Sequence, residues 1–176
     1  MEIVNFFEKL AGRWFSQRTT HALSTQQSKA GKSDLEVKFL PPDTREVQQL
    51  CEQQKESTPL CGLRIQQSST IDGDTKPSVM TTLLVPLEPT ETNGIYGGTM
   101  LRSGAQSKGC YALEGEVLTI VNDEPEAHSE ERMWFINENL RMRTGMTELK
   151  SGPNSGLRVA SFCSEIRMGV KPPKDA

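Results

Sequence analysis

The chain has few of the residues on which most catalytic and metal-binding motifs depend. Its four cysteines show no C-x-x-C spacing, which argues against zinc sites and thioredoxin-type sites. Two histidines are too few for a metal cluster unless carboxylates contribute. The phosphate-binding loop, the serine hydrolase motif and the dinucleotide fingerprint are also missing. We therefore expect neither a metal site nor a resident cofactor.

Charge and hydropathy exclude two further classes of protein. The net charge of −3 offers no basic field for a nucleic acid. No apolar run approaches the ~20 residues that a membrane-spanning helix needs, and the N-terminus lacks the pattern of a signal or transit peptide. At 176 residues, we expect residues 1–168 to form a single domain and 169–176 a flexible tail. We expect the cysteines to stay reduced.

The first third of the chain predicts two short helices and two strands. Residues 2–11 form a helix with one apolar stripe, since the apolar side chains recur at three- and four-residue steps. A strand begins at Trp14, and Ser33–Leu40 alternates apolar and charged side chains as a second strand. A second helix, capped by Asp43 or Thr44, then continues to about Gln53.

The rest of the chain predicts an all-β fold with turn-rich separators. We expect strands near residues 61–70, 78–87, 94–103, 108–114, 116–122, 130–136, 140–148 and 156–168. About ten short strands at near-regular spacing indicate a closed antiparallel barrel or a sandwich. A barrel of eight to ten strands has room inside for one small ligand. The strand patterns alone fit a barrel and a sandwich equally well.

The stretch from Glu130 to Met146 predicts a β-hairpin with two competing registers. A two-residue loop would place Trp134 opposite Arg143, with Glu131 on the other face. A three-residue loop at 137–139 would instead place Met133 opposite Arg143, and Glu131 would share the arginine face. We favour the three-residue loop because Asn139 tolerates the positive φ that such loops require.

In the favoured register, Glu131, Arg141 and Arg143 share one face of the hairpin. The opposite face carries Trp134 together with three apolar residues: Ile136, Leu140 and Met142. Two guanidinium groups beside a carboxylate suit a flat, apolar ligand that carries acid groups. The competing interpretation is that the arginine face simply meets solvent.

Three blocks of sequence resemble the S-type phycobiliprotein bilin lyases, the CpcS/CpeS type. They are FFEKLAGRWFSQRTTH at residues 6–21, SEERMWF at 129–135 followed by NLRMRT at 139–144, and ASFCSEIRM at 160–168. The resemblance implies a lipocalin-like antiparallel barrel of about ten strands, close to fatty-acid-binding proteins, with the N-terminal helix closing one end. It also implies that Trp14 packs against a late-strand arginine, for which Arg167 is the candidate.

The resemblance further implies that the protein binds an open-chain tetrapyrrole, a bilin, as its substrate. The bilin, expected to be phycocyanobilin, is joined through a thioether to a cysteine of a phycobiliprotein subunit. Arg141 and Arg143 would bind the bilin propionates. Glu131 would act as the catalytic residue, holding the pyrrole nitrogens and keeping the bilin protonated.

The same resemblance suggests further ligand-binding residues. Arg18 would be a second propionate ligand or an ion-pair partner, while His21 and Trp134 would contact the bilin. Arg18 shares the parity of Trp14 on its strand, and His21 lies on the opposite face. Glu165 is a candidate to support an arginine.

The chain also departs from the family pattern, and alternatives follow. Ala22 stands where the family often has a second histidine, Gly145 where it often has serine, and no tryptophan occurs near residues 64–69. These losses suggest a non-catalytic subunit that pairs with a paralogue. A homodimer, a carrier barrel for fatty acids and an assembly chaperone are other readings. We expect the protein in the cytoplasm of a cyanobacterium or in a plastid stroma.

Overall fold

A closed antiparallel barrel forms the body of the protein. The computed structural model describes residues 2–169. Two helices, α1 (Ile3–Leu10) and α2 (Arg45–Gln54), accompany eleven strands: β1 (Gly12–Ala22), β2 (Gln27–Leu40), β3 (Gly62–Ile71), β4 (Ser78–Pro86), β5 (Thr90–Thr92), β6 (Ile95–Arg102), β7 (Gly109–Glu114), β8 (Val117–Asp123), β9 (Ala127–Asn137), β10 (Leu140–Leu149) and β11 (Arg158–Arg167).

Ten of these strands make the barrel. Strand β1 pairs with β2 on one side and β11 on the other, and sequential hairpins build the rest of the sheet. The pairing of β4 with β6 closes the ring, with Leu84 opposite Arg102. This closure leaves β5 outside the ring as a short arm on β6. The predicted antiparallel barrel of about ten strands is confirmed, and the sandwich alternative is wrong.

Helix α1 plugs one end of the barrel, as predicted. Its apolar stripe buries Phe6 and Phe7 completely, and both rings meet aromatic side chains of the wall edge-on, Phe135 and Tyr111 respectively. Trp14 follows the helix and donates its indole N–H to the carbonyl oxygen of Leu10. The helix end therefore forms an apolar floor inside the barrel.

Strand β2 begins at Gln27, six residues before its predicted start at Ser33. Residues 27–32 are mostly exposed and carry no apolar alternation, so their strand conformation comes from the backbone ladder with β1 and not from side-chain burial. That ladder runs without interruption from Gly12 to Ala22. The long hairpin extends the wall at the open end of the barrel.

Strand β5 lies in a stretch that was predicted to be only a turn. Thr92 pairs with Ile95 across Asn93 and Gly94, and both central residues have positive φ, 53° and 80°. This is the backbone that an Asn-Gly dipeptide favours in a two-residue hairpin turn.

Helix α2 covers the outside of the barrel. It buries Val47, Leu50 and Cys51 in a second apolar cluster against β4 and β6. Thr44, one of the two predicted candidates, is the N-cap residue, although its hydroxyl donates to the carbonyl oxygen of Pro41 and caps no helix N–H. Residues 170–176 of the expected tail lie outside the described residues. Within 2–169, no helix is long and apolar enough to cross a membrane.

Candidate functional site

The hairpin of β9 and β10 adopts the favoured register beyond its tip. Arg141 lies opposite Phe135, and Arg143 lies opposite Met133. Leu140 pairs with Asn137 across a two-residue tip, and a register shift follows immediately. The extra residue on β9 moves the alternation by one position. The hairpin thus has the tip of the two-residue alternative and the side-chain facing of the three-residue alternative. Glu131 therefore shares the face of Arg141 and Arg143.

That face lines a cavity of about 240 Å³ inside the barrel. Phe7 and Leu10 of α1 form its floor, and most of its wall consists of Leu, Ile, Val and Met side chains. Glu131, Arg141 and Arg143 all line it. The interpretation that the arginines face bulk solvent is therefore wrong.

Arg141 is the most buried arginine of the cavity and contacts Glu165, Leu10 and Trp14. Its side chain is 3 % exposed. Its Nε donates to Glu165 Oε1 at 3.2 Å, and its Nη1 donates to the carbonyl oxygen of Leu10 at 3.3 Å. Burial lowers the pKa of Arg141 to about 10, even though Glu165 favours the charged form. Arg141 thus ties α1 to the wall and has limited freedom to bind a ligand.

Arg143 lies one step nearer the opening and is partly exposed, at 21 % of its side chain. It pairs with Glu131 at 3.0 Å and with Glu165 at 3.6 Å, and its Nη2 approaches the Cys163 sulfur at 3.8 Å. Burial opposes its charge, but the two carboxylates outweigh that effect and raise its pKa. Arg143 is a permanent cation at the surface of the cavity.

The two acids of the site differ in exposure. Glu165 is completely buried, and its Oε2 atom has no hydrogen-bond partner among residues 2–169. Its Oε1 atom forms ion pairs with both Arg141 and Arg143, which confirms the expectation that Glu165 pairs with an arginine. Glu131 is 40 % exposed and has one ion-pair partner among the described residues, Arg143. Glu131 is therefore the acid that can exchange its partner for a ligand.

Arg18 also faces the interior of the barrel, as its parity predicted. Cys163 of β11 lies opposite Arg18 on one side and opposite Arg143 on the other. The three residues form one row across three neighbouring strands. Within residues 2–169, no carboxylate forms an ion pair with Arg18. Its side chain is half-buried, and it does not line the cavity itself.

His21 is on the outer face and does not line the cavity, so its contact with the bilin stays a prediction. An inward histidine would require a bulge in β1, but β1 pairs continuously with β11 from Trp14 to Ala22. The His21 ring instead bonds Ser28 Oγ at 2.7 Å and packs edge-on against Phe162.

Trp134 is likewise on the outer face, opposite Met142. It contributes neither to the cavity lining nor to the core clusters. The alternation along β9 that turns Met133 and Phe135 inward turns Trp134 outward. Trp134 therefore does not line the cavity, and its contact with the bilin stays a prediction. It lies on an outer wall with several exposed apolar side chains: Ile136, Met146, Phe162 and Ile166.

The predicted partnership of Trp14 with Arg167 is confirmed, and a second arginine joins it. The Arg167 guanidinium carbon lies 4.2 Å from the ring centroid of Trp14, and that of Arg141 lies 4.1 Å from it. Arg167 also donates to the carbonyl oxygens of Lys9 and Ala11. Both arginines therefore fasten the end of α1 to the barrel.

Sequence reasoning missed Arg102 and Cys163. Arg102 lines the cavity from β6, on the far side from the hairpin. Its strand ends at a turn immediately afterwards, so the local pattern gives no sign of a cavity position. Cys163 is buried beside Arg143. The one sign in the sequence was that Cys163 lies two residues before Glu165 on β11, so the two side chains face the same side of the strand.

Comparison with known protein families places this geometry in context. The sequence model described as "CpeS-like protein" matches residues 2–168. A relative named chromophore lyase CpcS/CpeS, from Thermosynechococcus vestitus, is 36% identical over 184 residues, covering 100% of this chain and 98% of the relative. A relative from Trichodesmium erythraeum named chromophore lyase CpcS/CpeS 1 is 32% identical, covering 95% of this chain and 98% of the relative.

Two further comparisons add detail. A relative from Picosynechococcus, named phycocyanobilin lyase subunit CpcS, is 26% identical and covers 95% of this chain and 86% of its own length. Among solved structures, the S-type phycobiliprotein lyase CPES from Guillardia theta superposes with a TM-score of 0.87. It is 26% identical, and the match covers 97% of this chain and 95% of that one.

Proposed function

Because this chain belongs to the CpeS-like protein family, we propose that it is a chromophore lyase that attaches a bilin to a cysteine of a phycobiliprotein subunit. We propose phycocyanobilin as the bilin, since one relative is named for that pigment. The cytoplasm of a cyanobacterial cell, or the stroma of a plastid, is the compartment that we propose, because the curated relatives named above come from cyanobacteria.

The observation that carries this proposal is the placement of Arg143 and Glu131 on a mostly apolar cavity wall. A bilin has apolar pyrrole rings, acidic propionates and N–H groups in one molecule. The apolar wall suits the rings, a guanidinium fork suits a propionate, and a carboxylate suits the pyrrole N–H groups.

The size of the cavity also supports transfer to a partner. Its volume of about 240 Å³ is smaller than the roughly 300–1,000 Å³ of pockets that enclose a drug-sized ligand. A tetrapyrrole held here would keep part of its length outside the barrel. The reacting ring would then be accessible to the thiol of the acceptor subunit.

The reaction is an addition, so it requires no leaving group and no redox partner. The acceptor's sulfur forms a C–S bond to the exocyclic double bond of the first ring, and the thiol proton ends on the adjacent carbon. In this mechanism Glu131 keeps the pyrrole nitrogens protonated, which makes the double bond more electrophilic. Acid–base assistance of this kind typically contributes ~10²–10⁴-fold. Holding the bilin in one orientation lowers the barrier further.

A heteromeric lyase is the second candidate, in which this chain works with a paralogous subunit. The observation that favours it is the name of the Picosynechococcus relative, which is called a lyase subunit. The absence of a tryptophan near residues 64–69 is consistent with an aromatic contribution from another chain.

Co-expression tests both candidates. The chain is produced with the bilin pathway and a phycobiliprotein subunit, with and without a paralogue, and zinc fluorescence on a denaturing gel detects the covalent adduct. An adduct without the paralogue supports the autonomous lyase, and an adduct only with it supports the heteromer. No adduct in either case, together with micromolar fatty-acid binding by the purified chain, would instead indicate a carrier barrel.

A further inference from the structure

Arg102 is the one charged residue of the cavity lining without an ion-pair partner among residues 2–169. The other charged lining residues are Arg141, Arg143 and Glu131, and each of these has at least one partner within 4.0 Å. Arg102 also borders a shallow surface depression that includes Glu124. No carboxylate of that depression reaches ion-pair distance.

The position of Arg102 mirrors that of Arg143. Arg102 comes two residues after the fully buried Met100 on the inner face of β6, just as Arg143 comes two residues after the buried Arg141 on β10. Each is therefore one step above the deepest layer of its wall. In the ring of ten strands, β6 and β10 are separated by three strands on one side and five on the other, so the two cations come from nearly opposite walls.

The charges of the site make Arg102 the stronger attractor for an anion. Two arginines, Arg141 and Arg143, face two carboxylates, Glu131 and Glu165, and their formal charges sum to zero. Arg102 adds an uncompensated positive charge to the wall. In a cavity with a low-dielectric lining, a single unpaired cation attracts an acid group more strongly than one that is already neutralised.

We propose that Arg102 binds one carboxylate of a dicarboxylic ligand while Arg143 binds the other, and that Arg141 is a structural residue. This inference rests on the proposed function, because a bilin supplies two propionates. Arg143 must exchange one of its own carboxylates for the ligand, and Glu131 is the one exposed enough to be released. Arg102 has no such exchange to make, so it contributes to affinity without that cost.

The test compares binding of free phycocyanobilin with that of its dimethyl ester, in which both propionates are neutral. Absorbance titrations are made on the wild type, Arg102→Gln, Arg102→Lys and Arg132→Gln. Arg132 is the matched control, because it is an exposed arginine on the outer face of the same barrel. The acid-to-ester ratio within each variant is insensitive to small losses of folded protein.

We expect the wild type and Arg132→Gln to bind the acid at least tenfold more tightly than the ester. Arg102→Gln should lose about tenfold in affinity for the acid and keep its affinity for the ester, and Arg102→Lys should be intermediate. Wild-type affinity of Arg102→Gln for the acid would overturn the inference and leave the lyase proposal standing. A wild type that binds neither compound would overturn both.

Discussion

The guanidinium carbon of Arg141 lies 4.1 Å from the ring centroid of Trp14. Trp14 follows the helix that plugs the barrel, and Arg141 comes from the functional hairpin, so this contact joins the closed end to the site. Arg141 adds a hydrogen bond to the last carbonyl of α1 and an ion pair to Glu165. These contacts fasten the fold, which is why we propose a structural role for Arg141, the residue that the family resemblance assigned to a propionate.

Replacing Arg141 should destabilise the protein strongly. In Arg141→Met the apolar stem remains, but the buried Glu165 loses its nearest cation and the Leu10 carbonyl loses a donor. Breaking a buried pair by removing one partner typically costs about 3–5 kcal/mol. Urea unfolding should show a loss of that order, while Arg132→Met on the exposed outer face should change stability by less than about 1 kcal/mol. Equal effects from both variants would refute the structural role of Arg141.

Glu131 should matter for transfer and little for stability. Its carboxylate is 40 % exposed, and removing an ion pair of this kind typically costs at most about 1 kcal/mol. Glu131→Gln keeps the shape but loses the charge. We expect the rate of bilin transfer to the acceptor to fall by ~10²–10⁴-fold, measured by the appearance of adduct absorbance.

Glu130 supplies the matched control for that experiment. It is the preceding residue, points outward and pairs with Arg132, and its side chain is 41% exposed. Glu130→Gln should transfer bilin at the wild-type rate. If the two variants transfer equally well, Glu131 has no catalytic role.

Trp134 should contribute nothing to bilin affinity. It faces away from the cavity, whereas its neighbour Met133 lines it. We expect Trp134→Ala to bind bilin with wild-type affinity and Met133→Ala to bind it several-fold more weakly, both measured by absorbance titration. A large loss of affinity in Trp134→Ala would mean that the pigment lies on the outer wall.

Stability should fall at alkaline pH because of Cys61. The thiol is completely buried in the core, and burial, followed by the charge of Glu8, raises its pKa from 9.0 to about 12. Between these values the unfolded chain releases the thiol proton and the folded protein does not, so this contribution is intact below pH 9 and declines above it. The slope reaches about 1.4 kcal/mol per pH unit for one group.

Urea unfolding between pH 7 and 10.5 measures that decline. Cys61→Ala should begin less stable at pH 7, since it leaves a small cavity, and should lose less stability as the pH rises. The buried Tyr111 hydroxyl, whose pKa burial also raises, adds a decline of its own that both proteins share. Parallel curves for the wild type and the variant would assign the pH dependence to other groups.

The sequence predicted those features that depend on local alternation. The inner facing of Arg141, Arg143 and Glu131 follows from period-two alternation along two strands once the hairpin register is chosen, and the parity of Arg18 follows from that of Trp14. The facing of each of these side chains could be predicted from a stretch of about fifteen residues. The helix at the barrel end was readable for the same reason, from its own apolar stripe.

The features that sequence reasoning missed depend on contacts between distant strands. Arg102 belongs to the cavity because β4 and β6 close the ring, and no local pattern encodes that pairing. Cys163 meets Arg143 only through the register of β11. His21 and Trp134 were assigned to the ligand from the family resemblance, although alternation already placed both on the other face of their strands. In both cases the observed facing agrees with the alternation.

The most direct test of the central claim is the affinity of Arg143→Gln for bilin. The claim is that a cation on the inner wall holds the acidic pigment. We predict that Arg143→Gln, shown to be folded by circular dichroism, binds phycocyanobilin at least tenfold more weakly than the wild type. Arg132→Gln, which alters an outward arginine on the neighbouring strand, should bind normally. Equal affinity for all three proteins would contradict the account.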